Sequence, residues 1–166
     1  MKESLTSSSS IHKYRLAAQT MYGLFSRLSL PYNRAPDSVI DSIEKLSSEE
    51  LENLISKMQF YTEICEIAEK QIERPISEAN FAWLALQKLK FVPPKTLFSF
   101  IEPNDSIEIF DSNGVQAYRS FNFSLHTTYS LEELLIYPWF KLFCRDEAIT
   151  TKLIETMTGL LNGSIQ

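Results

Sequence analysis

Between Ser130 and Pro138 the chain leaves its fold little choice. Ser130-Leu-Glu-Glu133 is a capping box: the serine hydroxyl accepts from the Glu133 amide while the Glu133 carboxylate reaches back to the Ser130 amide. Pro138 disfavours helical dihedrals at Tyr137 and stops the helix there, so about two turns fit between the two signals. Trp139, Phe140, Leu142 and Phe143 follow as an apolar step too aromatic to lie in water. Asp146 opens a second helix, on which Ile149, Leu153, Ile154, Met157, Leu160 and Leu161 recur at helical spacing. Asn162-Gly163 closes it, because glycine tolerates a left-handed cap.

Just upstream, Ser106-Ile-Glu-Ile-Phe110 alternates as a strand does, Asp111-Ser-Asn-Gly114 reads as a turn, and Val115-Gln-Ala-Tyr-Arg119 resumes the extended pattern. Residues 106–119 are therefore predicted as an antiparallel hairpin. Hairpin, short helical region and longer helix, in that order, resemble the first half of a PAS domain, the small sensor module of signalling proteins. The residues that carry the resemblance are IEIFDSNGVQAYRSFN, TTYSLEELL, YPWFKLF and CRDEAITTKLIETMTGLLNG, and the resemblance covers about residues 97–163. Tyr-Ser-x-Glu-Glu-Leu is their most specific part. His126-Thr-Thr128 stands where the family usually has Thr-Gly, and the family's last three strands would follow Gly163. The resemblance implies a sensor region over residues 95–166 with a pocket between helices and sheet, where a small apolar ligand would sit.

The N-terminal part reads as helical. Residues 1–10 are a Ser-rich stretch expected as a flexible tail, and residues 11–92 a helical region. From His12 to about Leu30, the positions Leu16, Ala17, Met21, Leu24, Phe25 and Leu28 predict an amphipathic helix. After a proline-bearing loop, Asp37 is expected to cap a short helix carrying Val39, Ile40, Ile43 and Leu46. Ser47-Ser-Glu-Glu50 is a second capping box and opens the longest helix, about 48–72. Leu51, Met58, Cys65 and Ile72 share one heptad position there, and Leu54, Tyr61 and Ala68 the other, over about three heptads. These seven residues are candidates for a dimer seam with a second copy or with a partner regulatory protein. Ile55, Phe60, Ile64 and Ile67 widen the apolar surface, as in an interior bundle helix; two chains building one bundle would satisfy both readings. Arg74-Pro75 breaks the helix. Ser77 then caps another to about Lys90, and Val92-Pro-Pro94 reads as the boundary between the two regions.

Composition excludes several kinds of chemistry. A formal charge of −5 argues against a nucleic-acid surface, which needs clustered Lys and Arg. With only 4 Gly the chain has no phosphate-cradling loop. Cys65 and Cys144 lie far apart in sequence; a disulfide framework would want more cysteines and a metal motif close pairs with histidines, so they read as reduced thiols, which points to a cytoplasmic setting. No apolar run reaches the about 20 residues of a membrane span, and the polar N-terminus lacks a secretory core. His12 and His126 are the only histidines. Haem-bearing members of the resembled family carry their ligand on the helix that here spans 146–161, which has none. Cys144 lacks the residues that flank the flavin-bonding cysteine of light-sensing members. The paired acids Glu49/Glu50, Glu132/Glu133 and Asp146/Glu147 each fall in a first helical turn, where the helix dipole favours them. Hence no metal, no cofactor and no catalytic residue is assigned, and the chain is not expected to be an enzyme.

What remains is an aromatic concentration. Core and pocket wall are both open readings of it. The pocket candidates are Tyr118, Phe121, Phe123, Tyr129, Leu134, Trp139, Phe140 and Phe143, with Asn122 and Thr128 supplying polar groups. The fold class expected is α+β: a helical region followed by a PAS-like hairpin with short helices. The function expected is a signal-sensing or dimerisation module of a transcriptional or kinase-type regulator, acting through packing changes that the long helix passes to a partner chain. A protein-interaction adaptor without ligand is the alternative. An enzyme of unfamiliar type would require a polar cleft with perturbed carboxylates.

Overall fold

The structure, a computed structural model, describes residues 2–71, 73, 75–111, 115–137, 142 and 146–164. Along the chain run α1 (Lys2–Leu28), α2 (Asp37–Ile43), α3 (Ser48–Gln71), α4 (Glu78–Lys88), a 3-10 turn (Lys95–Phe100), β1 (Glu108–Phe110), β2 (Gln116–Arg119), a second 3-10 turn (Phe121–Leu125), α5 (Leu131–Ile136) and α6 (Glu147–Leu161). Among the described residues, helices around one two-stranded antiparallel sheet make the class α+β.

Local signals set most helix ends. At α3, the Ser47 amide donates to Glu50 Oε2 at 2.9 Å and the Glu50 amide to Ser47 Oγ at 3.3 Å. The same reciprocal pair opens α5, with Ser130 N to Glu133 Oε2 at 2.8 Å and Glu133 N to Ser130 Oγ at 3.3 Å. At α4 the partner of Ser77 is Asn80 rather than an acid. Asp146 Oδ1 accepts from the Ala148 amide at 2.9 Å to start α6, and Gly163 at φ 69° ends it. Tyr137 is extended, as a residue before proline should be. Asp37 differs from expectation: it is the first helical residue of α2, and the cap is Pro36, whose carbonyl accepts from Val39 and Ile40.

α1 begins at Lys2, so the Ser-rich stretch read as a tail forms its opening turns, and Ser10 is buried. Its inward stripe is Tyr14, Met21, Leu24 and Phe25, lying along α3. Leu16, expected on that stripe, is 58% exposed. It sits about 200° round the helix from Tyr14 at 3.6 residues per turn, and the docking against α3 selects the line through Tyr14.

α3 is the central element, packed by α1, α4 and α5. Leu51, Leu54, Met58, Tyr61, Cys65 and Ala68 are all buried within this one chain. The line expected as a dimer seam is therefore occupied by the chain's own core, because neighbouring elements cover it on several sides; Ile72 lies outside the described residues. One buried cluster joins these residues to Phe81 and Ala85 of α4, to Tyr118 and Phe121, and to Leu131 of α5. The Val92-Pro-Pro94 boundary thus does not separate two cores.

The hairpin pairs Glu108 with Arg119, Ile109 with Tyr118 and Phe110 with Gln116, with an irregularity after Ile109. Its turn residues 112–114 lie outside the described residues, but the Val115 amide donates to Asp111 Oδ1 at 2.8 Å at the turn's edge. A two-stranded hairpin is marginal alone in water, and here a helix fastens it. Tyr61 is 1% exposed, and its hydroxyl donates to the Arg119 carbonyl at 2.9 Å and accepts from the Arg119 amide at 2.7 Å. The Tyr61 and Tyr118 rings stack at 5.6 Å, and Phe121 meets Phe25 at 5.0 Å and Phe81 at 4.9 Å edge to face; such pairs add about 0.5–1.5 kcal/mol beyond burial.

Two stability tests follow from this geometry. Tyr61→Phe keeps the ring stack and strands two buried backbone groups, at a cost of about 2–4 kcal/mol in urea unfolding. Gly23→Ala, where a Cβ meets only Arg27 Nη1 at 3.9 Å inside α1, stabilises by about 0.5–1 kcal/mol in the same measurement.

Candidate functional site

α5 is held in place from two sides. Its residue Glu132 is 1% exposed and turned under α1, where the Tyr22 hydroxyl donates a short hydrogen bond to Oε2 and the Tyr14 hydroxyl lies 3.5 Å from Oε1. Burial raises the pKa of this carboxyl above the ordinary range, while the two hydroxyls act against the rise. Burial, followed by the Glu132 charge, also raises both tyrosines. Asn33, in the loop after α1, clamps the approach to α5 by donating its side-chain amide to the carbonyls of Thr127 at 2.7 Å and Tyr129 at 3.1 Å. At the other end of α5, Lys57 of α3 donates from Nζ to the Leu135 carbonyl at 2.8 Å. A helix stopped by proline leaves its last carbonyls without intrahelical donors, and a cation there also meets the negative end of the dipole.

Thus fixed, α5 forms one wall of a cleft of about 560 Å³ shared with α3, β2 and α6. Phe60, Ala117, Leu134, Ile136, Ile154 and Met157 give it apolar walls, and Ser56, Lys57, Gln116 and Tyr137 bring polar groups. The volume lies within the about 300–1,000 Å³ of small-molecule sites, which combine apolar walls with a few polar groups in this way.

A second cavity of about 770 Å³ lies between the end of α1 and the start of α4, with Pro103 and Asn122 on its far side. Glu78 lines it at 8% exposure. Its Oε1 accepts the Asn122 amide at 2.8 Å, tying α4 to the turn after β2. Its Oε2 has no hydrogen-bond partner among the described residues. Burial pushes the Glu78 carboxyl up to about 7, against the lowering effect of the Asn122 and Phe121 amides. Cys65 is buried nearby, and burial pushes its thiol up to about 12, which disfavours thiolate chemistry.

The pocket candidates from the sequence divide. Tyr118 and Leu134 line the cleft. Phe121 is a hub of the core, and Asn122 lines the second cavity while donating to the Pro103 carbonyl at 2.7 Å. Phe123 lies under the Arg119 guanidinium at 4.3 Å, with the Arg119 side chain paired to Glu108. Thr128 is exposed, and the Tyr129 hydroxyl donates to the Leu142 carbonyl. Trp139, Phe140 and Phe143 lie outside the described residues, as does Cys144. Sequence reading missed the α3 wall, Ser56, Lys57 and Phe60, because it assigned that helix to a separate region; the apolar positions beyond the heptad seam, Phe60 among them, were the available signal.

Among the described residues no group of His, Cys, Asp or Glu is placed to hold a metal ion, and no helix is long and apolar enough to cross a membrane. Compared with known protein families, with characterised proteins and with solved structures, the chain matches none.

Glu78 makes stability depend on pH in a definite direction. Its carboxyl titrates near 7 in the folded chain and near 4.5 in the unfolded one, so the folded state binds the extra proton between those values. The resulting stabilisation is full below pH 4.5 and is lost as pH rises through 7, a change on the order of 3 kcal/mol. Chemical denaturation at stepped pH measures it, and Glu78→Gln flattens the portion of the slope that Glu78 supplies.

Proposed function

We propose that this chain is the signal-input module of a cytoplasmic regulatory protein, PAS-like in organisation, that senses a small apolar ligand in the cleft beside β2. The observation that carries the reading is the 560 Å³ apolar cleft whose walls come from the hairpin, from α5 and from the central helix at once. A ligand there touches α3 directly through Phe60 and Tyr61. Tyr61 in turn holds the sheet, so occupancy of the cleft biases the packing of the helix that contacts most of the fold. This mode of action needs packing and differential affinity, not a catalytic group.

A protein-interaction adaptor is the second reading, favoured by α6. Ile149 and Leu160 of that helix are 56% and 55% exposed, with Leu153 exposed between them. Such a stripe suits contact with another protein.

Native mass spectrometry distinguishes the two. Purified chain incubated with a mixed small-molecule extract is expected to retain an adduct, and Leu134→Trp, which fills the cleft, to lose it with its circular dichroism unchanged. A wild-type chain that retains nothing and is dimeric counts for the adaptor instead.

A further inference from the structure

The geometry points to an amphipathic monocarboxylate, an aliphatic or aryl chain ending in one carboxylate, as the class of ligand the cleft takes, with Lys57 as its anchor. This rests on the reading of the cleft as a ligand site and adds the chemistry of the ligand's head. Lys57 is the only charged residue among the described residues that line the cleft. Among the described residues no carboxylate lies on its walls, and Lys57 has no ion-pair partner there.

An ammonium carries three donors, and one of those on Lys57 is directed to the Leu135 carbonyl at 2.8 Å. That bond holds Nζ beside α5 at the edge of the apolar space and leaves donors for an anion. Half-burial makes the site unfavourable for a lone cation, and burial lowers the Lys57 pKa accordingly. An incoming carboxylate relieves that cost by a charge-assisted hydrogen bond in a partly desolvated setting. The ligand's apolar body meanwhile covers the side chains of Leu134, Ile154 and Met157, two of which belong to a helix otherwise largely exposed on its apolar side. A cationic amphiphile meets Lys57 as a like charge, and a neutral one leaves its donors without the gain.

The test varies the head on a constant tail. Isothermal titration of the full chain with decanoate, 1-decanol and decyltrimethylammonium is expected to give decanoate at least about tenfold tighter than decanol, with the ammonium weakest. Lys57→Gln keeps a donor for the Leu135 carbonyl without the charge, and should bring decanoate down to the affinity of decanol while decanol is unchanged. Lys57→Arg should restore the preference. Equal binding of decanoate and decanol by the wild-type chain, or a preference that survives in Lys57→Gln, overturns the assignment of the carboxylate while leaving the cleft a ligand site. Failure of all three to bind overturns the cleft as a ligand site as well. A dimer by sedimentation that decanoate neither enters nor dissociates assigns the cleft to a second copy and also overturns the proposal.

Discussion

One tyrosine hydroxyl carries the join between sheet and helices. Tyr61 reaches from the middle of α3 to the edge of β2 and satisfies both the amide and the carbonyl of Arg119. An edge strand presents unpaired backbone groups, and burying them without partners costs far more than a hydrogen bond adds. By meeting both groups at one residue, Tyr61 allows a two-stranded ribbon to pack its buried end, Tyr118 and Arg119, against the helical core rather than stand in water. The ring that brings the hydroxyl there also stacks on Tyr118 and meets Phe121 edge to face, so the polar join sits inside the aromatic core. Sheet position, core packing and the floor of the cleft therefore share one residue.

Two buried acids extend the same logic. Glu132 binds α5 to α1 through Tyr14 and Tyr22, and Glu78 binds α4 to the turn after β2 through the Asn122 amide. Each lies in the first turn of a helix, the position in which acids were read as dipole partners. At Glu133 and Glu50 that reading holds as reciprocal caps. At Glu132 and Glu78 the helix turns the carboxylate inward, and the buried partner decides its chemistry. A capping motif says that an acid belongs in the turn; whether that acid faces solvent or the core depends on what lies opposite.

The cleft owes its polarity to a similar accident of placement. Pro138 cuts α5 short, the shortened helix leaves carbonyls open, and Lys57 supplies a donor from another helix. A cation thereby stands at the edge of a mostly apolar space. The α6 helix closes the cleft with Ile154 and Met157 while leaving Ile149 and Leu160 in solvent, so one amphipathic helix serves two faces.

Local chemistry within a few residues was legible from the sequence: the boxes at Ser47 and Ser130, the stop at Tyr137, the cap at Asp146, the left-handed end at Gly163 and the hairpin either side of Gly114. Each arises from a backbone group seeking a partner nearby in the chain or from a ring fixing a dihedral, and neither needs the rest of the chain. Tertiary structure alone decided which faces met. It turned Leu16 outward and Tyr14 inward, spent the heptad line of α3 on the chain's own core, and set Lys57, Tyr61 and Leu134 around one cleft. Those partners stand 58 to 118 residues apart where Tyr61 meets Arg119 and Tyr14 meets Glu132. Periodicity marks that a helix has an apolar side, but only the packed neighbours determine which line of that side is buried deepest and what it is buried against.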